Sequence, residues 1–278
     1  MDRVAIVADS SACLPGGLVT KYGIRLVPLG LNVDGRIIPD GSLSAAELFE
    51  LAAKSCGRIQ TASPPPGDFM AAFRAAREEG AAAVLCLTLS AAYSGTHDAA
   101  AAATELAEMP VTVVDTGGLA MTHGFAVLGA ARALEAGANV EGAAALARRI
   151  GSGGRLVGML DTLRFLVKGG RVPWIVGWAA SLMRIKPVLA FADGGARSIA
   201  RPRTWPAAKA RLLSEVLDAR WPARVAVMHS AAPARAAELA EAVNEALHPV
   251  ELLTTEFSSV MAVHTGPGFV GLAVCHDE

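Results

Sequence analysis

The chain has 278 residues, of which 53% are hydrophobic and 18% are charged, and its formal net charge is −1. The balanced charge excludes binding of nucleic acid through bulk charge, and the high hydrophobic content excludes intrinsic disorder, which requires low hydrophobicity and high net charge. At about 150 residues per domain, the length predicts one large domain or two moderate ones.

A hydrophobic excess raises the question of a membrane span, which needs about 20 mostly apolar residues. The longest stretch without Asp, Glu, Lys or Arg runs from Phe257 to His276, and its central Gly266-Pro267-Gly268 would break a helix in lipid. The apolar run after Met1 is too short for a signal peptide. We therefore expect a soluble, cytoplasmic protein without stable insertion into a membrane.

The first half of the chain alternates short apolar runs with alanine-rich stretches. Apolar runs followed by polar residues or glycine are typical of buried parallel strands, which we predict at Val4–Ala8, Val84–Leu89 and Val111–Val114. Helices are predicted at Ser44–Ala53, with Ser44 and Glu47 as a capping box, and at Gly67–Glu79, Thr96–Ala107, Ala120–Glu135 and Val140–Ile150. This alternation predicts an open α/β domain with a parallel sheet over residues 1–152.

After the glycine-rich Gly151–Gly154 the pattern changes. Strands are predicted at Leu156–Leu160, Val188–Ala192, Val225–Met228 and Phe269–Val274, with a hairpin turn at Asp193-Gly194-Gly195 and helices at Pro206–Ala219 and Pro233–Leu247. Residues 153–278 are therefore predicted to form a second domain, of the α+β class.

The four cysteines, Cys13, Cys56, Cys86 and Cys275, show no CxxC and no metal-ligand spacing, so the sequence predicts neither a disulfide framework nor a metal site.

Charge is uneven along the chain. Between Arg155 and Arg203 there are nine basic residues against two acidic ones. The basic residues are Arg155, Arg164, Lys168, Arg171, Arg184, Lys186, Arg197, Arg201 and Arg203. This segment is either a solvated face or a surface that attracts an anion or an acidic partner.

Polar residues follow three of the predicted parallel strands: Asp9-Ser10-Ser11, Ser94-Gly95-Thr96 and Asp115-Thr116. The carboxyl ends of such strands converge on one crevice, where ligands bind. Ser94-Gly95-Thr96 also precedes a helix whose first N–H groups are free, which suits an anion, although plain N-capping explains the same residues. Thr61 lies in the loop that leads into the Gly67–Glu79 helix.

Two elements of the second half also carry polar groups beside glycine. His264 precedes Gly266-Pro267-Gly268, where a tight turn would hold its side chain at the start of the last strand. Lys168-Gly169-Gly170-Arg171 is a glycine turn flanked by two cations. The sequence contains no P-loop, GxGxxG, GxSxG or HExxH signature, which favours a binding protein over a catalyst.

Taken together, these residues resemble the DegV family of fatty-acid-binding proteins over nearly the whole chain. The matching stretches are Ala8-Asp9-Ser10-Ser11 with Leu14-Pro15, Thr61 with Pro64 and Phe69, Ser94-Gly95-Thr96, Asp115, Leu163 with Leu166 to Val172, Ile185-Lys186-Pro187, Arg203, and His264 to Gly268. In this order and spacing, with KGGR and HxGPG both present, the motifs are highly specific.

The resemblance implies a two-domain lipid carrier that holds one long-chain, palmitate-like fatty acid in an apolar tunnel between the domains. Thr61 and Ser94 match the hydroxyls that hold the carboxylate, and His264 lies at the same end. We add Gly95, Thr96, Ser10 and Ser11, which flank the same predicted crevice.

The resemblance also implies a partner, the catalytic subunit of a fatty acid kinase, which phosphorylates the bound carboxyl to an acyl phosphate for phospholipid synthesis. Lys168, Arg171 and Arg203 would then face the kinase or its nucleotide phosphates. No cofactor, metal, nucleic acid or catalytic residue is implied for this chain.

The chain departs from the family pattern at Thr61-Ala62-Ser63-Pro64-Pro65, where Thr-Ser-Gln-Pro-Ser is usual, and at Cys13 and His97. The loss of two polar side chains beside Thr61 concerns the neighbouring hydrogen bonds rather than Thr61 itself, and the departures as a whole bear on acyl-chain preference or partner choice. Two other classes of function stay open: a hydrolase or phosphotransferase using Ser94 or the KGGR loop, and an interaction module that docks a partner through its basic face without a small ligand.

Overall fold

A computed structural model of the chain describes residues 3–54, 59–172, 185–192, 195–217 and 224–276. Cys56, Arg184, the Asp193-Gly194 part of the predicted hairpin turn and the predicted end of the Pro206–Ala219 helix lie outside the described residues.

The strands are β1 (Val4–Asp9), β2 (Arg25–Val27), β3 (Gly30–Val33), β4 (Arg36–Pro39), β5 (Gln60–Ala62), β6 (Ala83–Thr88), β7 (Val111–Asp115), β8 (Arg155–Met159), β9 (Val188–Ala192), β10 (Gly195–Ala200), β11 (Arg224–His229), β12 (Glu251–Glu256) and β13 (Val270–Cys275). The helices are α1 (Gly16–Lys21), α2 (Ala45–Lys54), α3 (Pro66–Glu78), α4 (Thr96–Thr104), α5 (Met121–Glu135), α6 (Val140–Gly153), α7 (Arg164–Gly169), α8 (Trp205–Leu217), α9 (Pro233–Leu247) and α10 (Ser259–Thr265). A short 3₁₀ helix spans Ser10–Ala12.

The chain forms two compact units. The first consists of Met1–Gly30 and Ala62–Gly153, and the second of Leu31–Thr61 and Gly154–Glu278. The domain boundary near residue 152 stays a prediction. The sequence-based division into 1–152 and 153–278 places residues 31–61 in the first domain, whereas the contacts group them with the second unit. Side chains of residues 31–61 form hydrogen bonds with residues more than 200 positions later in the chain. Such contacts cannot be predicted from a local sequence pattern.

The first unit is built on a parallel sheet of strand order β2-β1-β6-β7. Its strands are apolar because helices cover them, and Phe69 and Phe73 of α3 pack with strand residues such as Val84 and Cys86 in one core. The neighbouring strands β1, β6 and β7 end in Asp9, Thr88 and Asp115. The carboxyl ends of these three strands therefore lie at one edge of the sheet, as predicted, and the convergence of the polar residues on a ligand crevice stays a prediction.

Asp9 is completely buried at this edge, and its carboxylate bonds to residues that follow β1 and β6. Its carboxylate accepts hydrogen bonds from the Ser11 N–H and hydroxyl and from the Leu89 N–H, at 2.7 Å, and it faces His123 Nε2 at 3.5 Å. Burial alone would raise the pKa of Asp9, but the His123 imidazole and these hydrogen bonds lower it below its ordinary value. The ionised carboxylate thus fixes the start of the loop that leads to Ser94.

The second unit contains a mixed six-stranded sheet of order β10-β9-β8-β13-β11-β12, in which β11 and β12 are parallel and the other pairs are antiparallel. Its core joins strand residues such as Val157, Val227 and Leu272 to Leu212 of α8 and Leu239 of α9. The predicted fold class, α/β with a parallel sheet in the first part of the chain and α+β in the second, is confirmed, and the structure shows that the second sheet is mixed.

The segment Leu31–Thr61 carries a three-stranded sheet of order β4-β3-β5, and α2. The predicted capping box at the start of α2 is confirmed: Glu47 accepts from the Ser44 N–H at 2.8 Å and the Glu47 N–H donates to Ser44 Oγ at 3.2 Å. The three strands were not predicted from the sequence, because runs of three or four residues show no clear alternation.

No helix in the described part of the chain is long and apolar enough to cross a membrane.

Candidate functional site

A cavity of about 350 Å³ lies within the second unit. Residues of β5, α7 and α10 surround it, together with the end of α2. Its lining consists of Ala52, Ile59, Gln60, Thr61, Phe165, Lys168, Gly169, Arg171, Val263 and His264. Four residues predicted from the sequence, Thr61, His264, Lys168 and Arg171, are therefore brought together here.

Thr61 and His264 form a hydrogen-bonded pair in the lining of this cavity. Thr61 Oγ1 and His264 Nε2 are 3.0 Å apart, although the residues are 203 positions apart in the chain. The structure differs from the sequence prediction for both: Thr61 lies in the short strand β5 rather than in a loop, and His264 lies in the last turn of α10 rather than in a turn. The glycine turn follows His264, since Gly266 caps α10 and its N–H donates to the Ala262 carbonyl.

The two glycines of the KGGR loop are explained by this packing. Gly170 ends α7 in the left-handed region, with φ +68°, which favours glycine. A Cβ at Gly169 would lie 2.3 Å from His264 Nδ1, so a side chain there would displace the imidazole. The loop therefore packs closely against His264 and also contains the two cations Lys168 and Arg171.

The His264 imidazole is held neutral. Burial of the ring, followed by the positive charge of Arg171, lowers the pKa of His264 from its ordinary value of 6.5 to about 4. Above that pH the ring carries one N–H hydrogen, on either Nδ1 or Nε2.

The hydrogen-bond partners of the two ring nitrogens of His264 indicate which nitrogen carries the hydrogen. Among the described residues His264 Nδ1 is buried and has no hydrogen-bond partner, whereas Nε2 faces Thr61 Oγ1. An orphaned buried N–H is rarer in proteins than an unsatisfied acceptor, so we assign the hydrogen to Nε2, which donates to Thr61. The Thr61 hydroxyl then keeps its own hydrogen to donate to an acceptor in the cavity.

Lys168 and Arg171 give the cavity a cationic, solvent-exposed rim. The Arg171 guanidinium donates from Nη1 to the Gly169 carbonyl at 2.9 Å, which ties this side chain to the KGGR loop. The lining thus joins a neutral O–H donor with exposed cations, a combination suited to an anion.

The first unit holds a second polar group, made of the hydroxyls of Ser63, Ser94 and Thr96. Ser94 Oγ lies 3.0 Å from Ser63 Oγ and 2.8 Å from Thr96 Oγ1, and it accepts from the Thr96 N–H at 3.3 Å. Gly95 is the N-cap residue of α4 and has no side chain to cap it, so Ser94 takes part of that role. Three hydroxyls joined by two hydrogen bonds leave one O–H free to donate elsewhere.

Ser63 was not in the predicted set of site residues. Ser63 follows Thr61 by two positions, just after β5. Two hydroxyl residues at that spacing in an extended segment are only a weak sequence indication that Ser63 belongs to a polar site.

Ser10 and Ser11 use their side chains within the fold. The Ser11 hydroxyl is completely buried and donates to Asp9, and Ser10 Oγ accepts from the Leu29 N–H at 3.1 Å. Their predicted contact with a ligand stays a prediction. Arg203 is exposed, in the connection between β10 and α8, and is not among the residues that line the cavity.

Among the described residues, no group of three or more His, Cys, Asp or Glu is arranged to hold a metal ion. The described cysteines, Cys13, Cys86 and Cys275, are buried and none of the three forms a disulfide, and burial raises the pKa of the Cys86 thiol far above its ordinary value.

Comparison with known proteins supports the resemblance seen in the sequence. Residues 3–277 match the model of the DegV family. A DegV domain-containing protein of Streptomyces coelicolor is 36% identical over 275 residues, which covers 98% of each chain.

Solved structures give the same result. A fatty-acid-binding DegV family protein from Thermus thermophilus matches with a TM-score of 0.90 and 32% identity, covering 98% of this chain and 99% of that one. DegV from Bacillus subtilis, described as a fatty acid binding protein, matches with a TM-score of 0.87 and 26% identity, covering 99% of each chain.

The charge state of His264 is open to direct measurement. Replacing Arg171 by Gln removes a positive charge that opposes protonation, so the pKa of His264 should rise from about 4 towards its ordinary value while burial still holds it below that value. A pH titration of the imidazole nitrogens by ¹H–¹⁵N NMR measures it. Arg203→Gln, an exposed cation outside the cavity lining, should leave the titration unchanged. A wild-type His264 that titrates near pH 6.5 would contradict the assignment of a buried, neutral ring.

Proposed function

Because the chain belongs to the DegV family, we propose that it binds one long-chain fatty acid and that the hydroxyl of Thr61, oriented by His264, donates a hydrogen bond to the carboxylate. The observation that carries this proposal is the Thr61–His264 hydrogen bond in a cavity with exposed cations at its rim. The fatty-acid-binding relatives from Thermus thermophilus and Bacillus subtilis support it.

The driving force comes from the acyl chain. Removal of each CH₂ group from water contributes about 0.8 kcal/mol, so burial of a long chain supplies most of the affinity. The predicted apolar tunnel for this chain remains part of the proposal. The headgroup then needs only enough polar contacts to avoid the cost of an unpaired buried charge.

A neutral pair suits that task. The Thr61 hydroxyl, which accepts the Nε2–H of His264, can donate its own hydrogen to a carboxylate oxygen without a metal ion and without a bidentate arginine, which would occupy both oxygens. One carboxylate oxygen therefore remains available to attack a phosphoryl donor.

We assign the second headgroup donor to Ser94 on the resemblance to the family, with Gly95 and Thr96 beside it. The free O–H of the Ser63–Ser94–Thr96 chain supports this assignment, because it can donate to an anion. The hydrogen bonds of Ser94 Oγ in the described part run to two hydroxyls and a backbone N–H. A serine nucleophile needs a base such as histidine within reach, so these contacts favour a binding role over the hydrolase alternative.

We further propose that the chain presents the carboxylate to the catalytic subunit of a fatty acid kinase, which forms the acyl phosphate. The exposed cations Lys168 and Arg171 at the cavity rim support this step, since they would attract the nucleotide phosphates. The kinase supplies nucleotide and catalysis, and this chain supplies the bound lipid.

Binding can be tested with the double variant Thr61→Ala, Ser94→Ala. Loss of both donors strands a buried carboxylate, so the affinity for palmitate should fall by about 2–4 kcal/mol. Isothermal titration of delipidated protein measures the affinity, and mass spectrometry of denatured wild-type protein from a bacterial host should detect a fatty acid.

The matched control is Thr20→Ala, Ser42→Ala, which removes two exposed hydroxyls and should bind palmitate like the wild type. An unchanged affinity in the Thr61/Ser94 variant would refute the headgroup assignment.

The partner role can be tested by acyl phosphate formation with ATP and a fatty acid kinase catalytic subunit. Exposed charges at an interface act mainly on association, and Arg203 belongs to the cations that the family resemblance places towards the kinase. Arg203→Gln should therefore lower the rate at limiting carrier by about three- to tenfold without changing palmitate affinity. Arg36→Gln, an exposed cation outside the basic segment, serves as the control. Acyl phosphate formed by this chain and ATP alone would instead support the phosphotransferase alternative.

A further inference from the structure

Helix α10, which carries His264, depends on contacts from outside itself. It has seven residues, and helices shorter than about 12 residues are marginal in water on their own. Its N-cap residue Ser258 makes no side-chain capping bond, and Ser258 Oγ is buried without a partner among the described residues. The usual local cap is therefore absent from this helix.

Asp40 supplies the cap instead. Its Oδ1 atom accepts hydrogen bonds from Ser259 Oγ at 2.9 Å and from the Val260 N–H at 3.0 Å, across more than 200 positions of the chain. Asp40 is 8% exposed and Ser259 is 1% exposed, so water competes little for these bonds. A buried carboxylate from another segment thus fixes the first turn of α10.

The same segment holds the other end of the helix. Asp40 follows β4 directly, and Thr61 lies in β5, the outer strands of the β4-β3-β5 sheet. Asp40 bonds to the first turn of α10, and Thr61 bonds to His264 in the last turn. The spacing between these two anchors is set by one small sheet, so the position of the imidazole depends on both.

We infer that Asp40 is a positioning residue for the headgroup site: it holds α10 where His264 Nε2 meets Thr61 Oγ1. This inference rests on the proposed function, in which that pair receives a carboxylate. The conservative variant separates positioning from charge, because the side-chain oxygen of Asn accepts both hydrogen bonds.

The test compares Asp40→Ala with Asp40→Asn, and uses Ser44→Ala as the matched control. Ser44 caps α2 in the same segment and its hydrogen bonds run to Glu47, so its loss costs a helix cap while leaving both bonds from Asp40 to α10 in place. Three measurements are made on each protein: the thermal midpoint, the ¹H–¹⁵N imidazole spectrum of ligand-free protein, and palmitate affinity.

In Asp40→Ala we expect the His264 signals to leave the Nε2–H tautomer position and palmitate affinity to fall about tenfold, equivalent to one hydrogen bond to a charged group. Asp40→Asn should restore both. Ser44→Ala should lower the midpoint while leaving spectrum and affinity unchanged. An unchanged His264 spectrum in Asp40→Ala, or an equal change in Ser44→Ala, would overturn the inference.

Two further outcomes separate the positioning role of Asp40 from a failure to fold and from the proposed binding of fatty acid. If Asp40→Ala does not fold, Ser259→Ala removes one of the two donors and should give a smaller shift of the His264 signals in the same direction; no shift would count against the inference. If the wild type binds no palmitate while Asp40→Ala still moves the His264 signals, the proposed function fails and the positioning of His264 by Asp40 stands.

Discussion

The hydrogen bond between Thr61 and His264 is the central interaction of the candidate headgroup site. It joins a three-residue strand to the last turn of a seven-residue helix, neither of which is stable alone. Gly169 makes room for the imidazole, and Asp40 caps the far end of the helix. Gly169 and the cap from Asp40 therefore both help to hold the neutral imidazole of His264 against the Thr61 hydroxyl.

The chemistry of this pair follows from charge. Burial and the neighbouring Arg171 keep His264 unprotonated at neutral pH, so the cation stays at the exposed rim and the interior donors stay neutral. In the first unit, the ionised Asp9 is buried but fully occupied by Ser11, Leu89 and His123. The buried charge of Asp9 is thus paired, and O–H groups are offered where a ligand anion is proposed to bind.

The sequence predicts the parts of this structure that are local. Apolar runs mark β1, β6 and β7, and because their carboxyl ends share an edge, the polar residues that follow could be grouped without coordinates. The position of Thr61 in β5 and the cap from Asp40 could not be predicted, since the partners lie more than 200 positions away and the strands are too short to show alternation. The importance of Thr61 and His264 came from family motifs, and their mutual contact came from the structure.

A crystal structure of the protein with bound palmitate would show directly which groups hold the carboxylate. We expect electron density for a carboxylate within hydrogen-bond distance of Thr61 Oγ1, with the bond from His264 Nε2 to Thr61 retained. A carboxylate paired with the Lys168 ammonium or the Arg171 guanidinium, and out of reach of Thr61, would contradict it.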